Sequence, residues 1–364
     1  MTNKKQEIFF ASADTFEGMC RELLQPLAGK NNLLKITVFN APADNKEYYA
    51  NLRFLKKFAA QQFGKCAPLI AYVAQPCLTA SMAAEVTYLP EDENIRHERH
   101  DGYTLLHGNG FCELVTEGIT PQSPDGSIKE QSAEIFAQLG NILAKNSFNI
   151  NDIYRQWNYI EQITLMREGR QNYQEFNDAR SRFYNRAEWS NGYPAATGIG
   201  TSCGGVMIEV YAIKGEKVVS HAIDNPLQIS AHNYSQKVLT GKSDEPLRTT
   251  PKFERARIVG DTIYISGTAA IKGEDSISLD NATEQAVETM HIIKQLVASE
   301  NIPVATKGST YTLLRTYIKN SKDAPEVIRF MEENYPDVPK HYIEADVCRP
   351  ELLVEIEGTA ITKL

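Results

Sequence analysis

Much of what this 364-residue chain lacks is informative. It has no surplus of basic charge: 38 Lys and Arg face 46 Asp and Glu, for a formal net charge of −8. Binding nucleic acid through phosphates needs a concentrated basic face, so the charge argues against nucleic acid as a principal partner. The cysteines (Cys20, Cys66, Cys77, Cys112, Cys203, Cys348) show no C-x-x-C or paired spacing. That argues against a zinc site and a disulfide framework, and reads as reduced thiols in a cytoplasmic protein. No apolar run approaches the ~20 residues of a membrane-spanning helix. The stretch MTNKKQEIFFASADTF has too short an apolar core for a signal peptide, so the expectation is a soluble, cytoplasmic protein away from membranes. There is no G-x-S-x-G elbow. GIGTSCGG (198–205) precedes a strand instead of following one and opening a helix, so it is not a dinucleotide fingerprint. His97 and His100 in RHERH have no matched further ligands and read as part of a solvated joint.

What is present is a repeat. With 42% hydrophobic and 23% charged residues, the chain can furnish cores for two or three small domains. In the last section DTIYISGTAAI reads as a strand, DNATEQAVETMHIIKQLVASENI as an amphipathic helix, TYTLLRTYI as a strand and DAPEVIRFMEENYP as a helix. HYIEADVC and LLVEIEGTAI read as closing strands. The middle section repeats the order with GYTLLHGNG, SIKEQSAEIFAQLGNILAKNSFNI, IYRQWNYIEQI, YQEFNDARSRFYNR and GVMIEVYAI. This alignment sets Gln131 opposite Gln285, Tyr159-Ile160 opposite Tyr317-Ile318, and Glu209 opposite Glu355. The N-terminal part reads as a half-unit over about 30–92, with LLKITVFNAP, a helix from Asn45, PLIAYVAQP and AAEVTYLP. The expectation is an α+β protein of mixed sheets with helices packed on one side. It divides into an N-terminal region 1–240 (the half-unit, a unit over about 101–215 and a connecting segment) and a C-terminal domain 241–364.

One strand position carries an acid in each section: Glu85, Glu209 and Glu355. In VEIEG a second acid, Glu357, lies two residues on and shares a face with Glu355. An acid pair inside an apolar strand is either solvated on an open face or lines a cavity. In the second case Glu357 is either the proton donor itself or a neighbour that raises the pKa of Glu355. Arg155, Arg315 and Lys319, on or just after the repeated central strands, are candidate cations by position.

YISGTAAI, the Gln-bearing helix and VEIEGTA resemble the YjgF/Rid (endoribonuclease L-PSP-like) family, whose small proteins form trimers with clefts between subunits. The resemblance implies an internal pseudo-trimer, either monomeric or further associated as a homo-oligomer. WNYIEQI, YQEFNDARSRFY, PAATGIGT, NPLQISAHNYS, FERARI, SGTAAI and CRPELLVEIEG, in that order, are similar to the chorismatases. These enzymes convert chorismate to pyruvate plus a dihydroxycyclohexadiene carboxylate or a hydroxybenzoate.

That likeness implies Glu355 as the catalytic acid and Cys348 in the position characteristic of 3-hydroxybenzoate-forming members. It implies Arg180 of FNDAR and Tyr234 of SAHNYS as substrate ligands. Gly267, Ala269 and Ala270 are small enough to let a ring approach the backbone. The implied substrate is a small carboxylate, with no metal and no organic cofactor. Two departures stand out: KGEDS puts Glu274 where the family tends to have the His of Gly-His-x-Ser, and His232 stands where a Tyr is frequent. Two other readings go with the same fold. One is an enamine/imine deaminase of the Rid kind, against which Lys340 stands near the position of that group's arginine. The other is a non-catalytic carboxylate-binding protein.

Overall fold

The computed structural model describes residues 4–90, 92 and 94–363. Its strands assemble into three main sheets in sequence order. The first unit contains β1 (Gln6–Ala11), α1 (Phe16–Leu24), β2 (Leu33–Asn40), α2 (Asn45–Phe63), β3 (Leu69–Ala74) and β4 (Met82–Tyr88), with sheet order β1-β4-β2-β3. The second contains β5 (Arg96–His100), β6 (Tyr103–Gly108), β7 (Phe111–Thr116), α3 (Ile128–Lys145), β8 (Ile153–Glu161), a ribbon of β9 (Met166–Arg167) and β10 (Arg170–Gln171), α4 (Asn172–Tyr184), β11 (Ala195–Thr201) and β12 (Val206–Lys214). Its order is β11-β8-β12-β7-β6-β5.

The third contains β13 (Ser220–Ile223), β14 (Ala256–Val259), β15 (Thr262–Ala269), a ribbon of β16 (Ile271–Lys272) and β17 (Asp275–Ser276), α5 (Ala282–Leu296), β18 (Ser309–Ile318), α6 (Ala324–Asn334), β19 (Lys340–Glu344) and β20 (Val354–Thr362). Its order is β13-β14-β15-β20-β18-β19. The second and third sheets therefore have one topology. The first is the same sheet without its two leading strands.

Local chemistry starts the helices where the pattern places them. Asp44 caps α2 by accepting from the Glu47 N–H at 2.8 Å, and Ser127 and Glu130 form a reciprocal capping box on α3. Asn281 does the same for α5, accepting from the Glu284 N–H at 3.0 Å. The central strands do not alternate apolar with polar, because both faces are covered; every residue of β2 is buried. Ile36, Val38, Ala84 and Val86 pack under α1 and α2, and Ile258, Ile263, Val354 and Ile356 pack with α5 and α6. The opposite faces of all three sheets meet in one further core, which includes Phe39, Val73, Tyr159, Met207, Tyr264, Tyr317 and Ile343. The units are thus arranged as an internal pseudo-trimer around a shared axis.

Three expectations need correction. The first sheet begins at Gln6, not near residue 30, because β1 pairs with β4 from Gln6↔Thr87 to Ala11↔Met82. The boundary at 240 falls inside the third unit, since β13 pairs with β14 across a long strandless connection. GYTLLHGNG is also not the counterpart of DTIYISGTAAI. β7, not β6, pairs with the closing strand β12, as β15 does with β20. All these errors concern which strands pair, and a strand pattern does not reveal its partners.

Candidate active site

Each unit closes on a strand whose fourth residue is an acid: Glu85 in β4, Glu209 in β12 and Glu357 in β20. Register confirms the equivalence. Glu85 pairs with Thr37, Glu209 with Trp157 and Glu357 with Arg315, at matching positions of the central strands. Gln131 accepts from the Val206 N–H at 3.0 Å, and Gln285 accepts from Leu353 N–H at 2.7 Å and Val354 N–H at 3.3 Å. The alignment of Gln131 with Gln285 therefore stands, but Glu209 is the counterpart of Glu357. The residues equivalent to Glu355 are Met207 and Ala83.

The three repeated acids form a buried ring of ion pairs between units. Lys35 Nζ reaches Glu209 at 2.5 Å. Arg315 reaches Glu85 through Nε at 2.8 Å and Nη2 at 2.6 Å, and His341 Nε2 lies 2.6 Å from the same carboxylate. Glu357 accepts from Arg155, Thr197, Trp157 (2.9 Å), Arg315 (2.7 Å) and Tyr317 (2.7 Å). Burial opposes the charge on Glu85, but the Arg315 guanidinium and the His341 ring outweigh it and hold the carboxyl well below its usual range. Glu357 thus accepts hydrogen bonds on both carboxylate oxygens.

Glu355 differs in kind. It is 4% exposed, and no hydrogen bond reaches its carboxyl among the described residues. Burial, then the neighbouring Glu357, push its pKa up to about 8, with Arg155 and Arg255 only partly opposing. A bulge in the β15–β20 pairing lies between Ile265 and Thr268, and Gly267 at that bulge passes directly beneath the acid. A Cβ on Gly267 would lie 2.1 Å from Glu355 Oε1. The Thr197 hydroxyl holds the strand there, accepting from the Gly267 N–H at 3.0 Å.

The acid faces a cavity between the second and third units with about 60 Å³ of water-accessible volume, opening to solvent. α4 contributes Tyr173, Gln174 and Asn177, and the third sheet contributes Gly267, Ala269 and Glu355. Cys348, Arg349 and Leu352 come from the approach to β20, and Arg255 from the approach to β14. Burial, then Glu355, push the Cys348 thiol up to about 12, so it stays protonated. Tyr234 lies between two guanidiniums, with the Arg255 carbon 5.4 Å and the Arg349 carbon 5.2 Å from its ring centre. Its hydroxyl accepts from Arg255 at 2.7 Å. The backbone carbonyl of Glu274 orients Arg349 at 2.8 Å. Arg180, Arg255 and Arg349 make no ion pair among the described residues, and each keeps a buried guanidinium nitrogen without a hydrogen-bond partner.

Of the residues singled out from the sequence, Glu355, Cys348, Tyr234, Gly267 and Ala269 line one pocket. Ala270 is fully buried and does not line it. Arg315 is displaced from the pocket into the ring of ion pairs, because its side chain follows the central-strand face towards the axis. Arg180 stands behind the wall, donating to Asn177 Oδ1 at 2.5 Å. Glu274 turns outward to bind Ser235 through its backbone N–H (2.8 Å) and hydroxyl (2.7 Å). His232 Nδ1 lies 3.9 Å from Glu254 and is not among the pocket residues.

Arg255 and Arg349 were missed. Both lie in the quoted segments FERARI and CRPELL, where only their motif context marked them. The corresponding cleft between the first and second units is closed, with Met207 in place of the acid and Tyr48 and Tyr72 against it. No group of three or more metal-ligating side chains occurs among the described residues.

The sheet order and the clefts between units define a protein of repeated α+β units carried on one chain. Residues 88–213 match the family model "Chorismatase FkbO/Hyg5-like, N-terminal". A 3-hydroxybenzoate synthase of Streptomyces hygroscopicus is 28% identical over 300 residues, 78% of this chain and 83% of that protein. A chorismatase of the same organism is 24% identical over 266 residues, 69% of this chain and 74% of that one. A chorismatase crystal structure shares the fold, with a TM-score of 0.72 at 19% identity over 98% of both chains. Over most of its length the chain is thus similar to chorismatases.

Proposed function

We propose that this protein cleaves the enolpyruvyl ether of chorismate, releasing pyruvate, with Glu355 as the acid. The observation that carries the reading is a buried carboxyl without a hydrogen-bond partner, facing a pocket whose guanidiniums lack counter-ions among the described residues. Chorismate brings two carboxylates, and Arg255 and Arg349 are placed to receive them as charge-assisted bonds. Arg180 acts through Asn177 and adds to the positive field of the pocket.

Glu355 gives its proton to the terminal methylene carbon of the vinyl ether. The carbon bearing the ether oxygen becomes an oxocarbenium centre, and the carboxylate left on Glu355 stabilises it. Addition of water there and loss of the ring alcohol would give pyruvate and a dihydroxycyclohexadiene carboxylate. Hydroxybenzoate and pyruvate together contain the atoms of chorismate with none added, so that outcome requires no net water. Cys348, kept as a neutral thiol, and the apolar Leu239, Phe253 and Leu352 around it favour the drier course, and with it 3-hydroxybenzoate. The pocket is complete within one chain, so catalysis requires no partner subunit.

The test is pyruvate release from chorismate with the ring product identified by mass, alongside Glu355→Gln. The expected result is pyruvate with 3-hydroxybenzoate from the parent protein and a loss of at least about a thousandfold in the variant, the cost of removing an essential acid. Turnover that survives the substitution would assign the chemistry to another residue.

A further inference from the structure

Between β13 and β14, strands that pair as neighbours, the chain runs from Asp224 to Arg255 without a strand. Its middle lies over the pocket, to which it contributes Val238, Leu239, Thr240, Pro251 and Phe253. The other walls are the short approach to β20 that carries Cys348, Arg349 and Leu352, and sheet strands and α4, which cannot part without breaking ladders or a helix. This side differs. It is held to α4 by side-chain bonds, and Leu247 near its tip is 68% exposed.

The bonds converge on one residue. Asp178, 3% exposed, accepts from the Thr249 hydroxyl at 2.6 Å, from the Ser243 hydroxyl at 3.0 Å and from the Asp244 N–H at 3.2 Å. Gln174, a turn earlier on α4, donates to Asp178 and to the Thr249 hydroxyl, each at 2.9 Å, while also lining the pocket. Asp244 is gripped from outside by Lys129 (2.8 Å), Arg170 (2.9 Å) and Arg182 (2.6 Å). Water can replace hydrogen bonds of this kind when they break, so they suit local opening better than an apolar interface would.

We propose that residues 236–250 are a cover that opens to admit substrate, and that Asp178 is the positioning residue that latches it closed. The catalytic consequence rests on the function proposed above; the opening does not. Because Asp178, Gln174 and Asn177 belong to one stretch of α4, latching the cover and setting the pocket wall are a single event. The latch acts on how well substrate is held, not on the proton transfer at Glu355.

Trypsin reads the opening directly, since Lys237, Lys242 and Arg248 lie in the cover. Native-state nicking is followed by fragment mass for the parent, Asp178→Asn, and the double variant Ser243→Ala/Thr249→Ala, which removes the latch from the cover side and leaves α4 untouched. Both variants should be nicked within 236–250 about tenfold faster at unchanged Tm, because cleavage follows the population of the open form. Chorismate bound to Glu355→Gln protein should slow nicking, and the latch variants should show a raised KM with little change in kcat. Unaltered nicking in the double variant would overturn the proposal, as would equal acceleration at exposed Arg329 on α6. Should Asp178→Asn not fold, the double variant decides. Absence of chorismate turnover in the parent would sink the functional reading while the nicking comparison still decides the cover.

Discussion

Glu355 and Glu357 are two residues apart on one strand face, yet their surroundings differ: Glu357 has donors on both oxygens and Glu355 has none among the described residues. The consequence for Glu355 has a definite sign. Its carboxyl titrates near 8 when folded, against an ordinary 4.5. Between those values the native state keeps a proton that the unfolded chain has released, so this group takes stability away as pH rises through that window. Activity, which needs the proton, should fall as pH passes about 8. Glu355→Gln should flatten the first effect, measured as the denaturant midpoint near pH ~5 and ~9. Gly267→Ala tests the close approach beneath the acid: the added methyl displaces the carboxylate, and pyruvate release should drop by about a hundredfold, the order expected for a misplaced reacting group, with the circular dichroism spectrum unchanged.

At the scale of elements, helices α3 and α5 and the closing strands β12 and β20 were legible, since their periodicity and caps are written in adjacent residues. Gln131 and Gln285 show what that legibility carries. Each glutamine reaches from its helix to the first N–H groups of the closing strand, so helix and strand positions are matched by one side chain. Gln285→Ala should take this acceptor from the part-buried Leu353 N–H and the buried Val354 N–H, at a cost of about 1–3 kcal/mol by chemical denaturation. The hairpins β6–β7 and β14–β15 were less legible. Aligning GYTLLHGNG with DTIYISGTAAI matched two strands that look alike but occupy different places in their sheets, and Glu209 was matched to Glu355 in place of Glu357.

Across the whole molecule, the ring of Glu85, Glu209 and Glu357 with Arg315, Lys35 and Arg155 ties each unit to the next. Breaking one buried pair leaves an uncompensated charge, so Glu357→Gln should cost about 3–5 kcal/mol, read from denaturant unfolding. That loss should exceed the effect of Glu355→Gln, which removes no hydrogen bond. The same arrangement explains why one cleft of this chain is suited to chemistry. Where the third unit has Glu355, the second has Met207 and the first Ala83, and tyrosines fill the space against Met207.

The amino-acid sequence by itself determined the elements, their repetition and the acid-bearing strand, because these depend on composition and on neighbours within a few turns. It also placed Glu355, Cys348 and Tyr234 on the short list through their motifs. Only the tertiary structure decided that Arg255 and Arg349 flank Tyr234, that Arg315 points to the axis and that Glu357 is held by donors from two units. The direction of a long cationic side chain is set by which distant carboxylate or ring the sheet registers bring within reach, and no local pattern encodes that meeting.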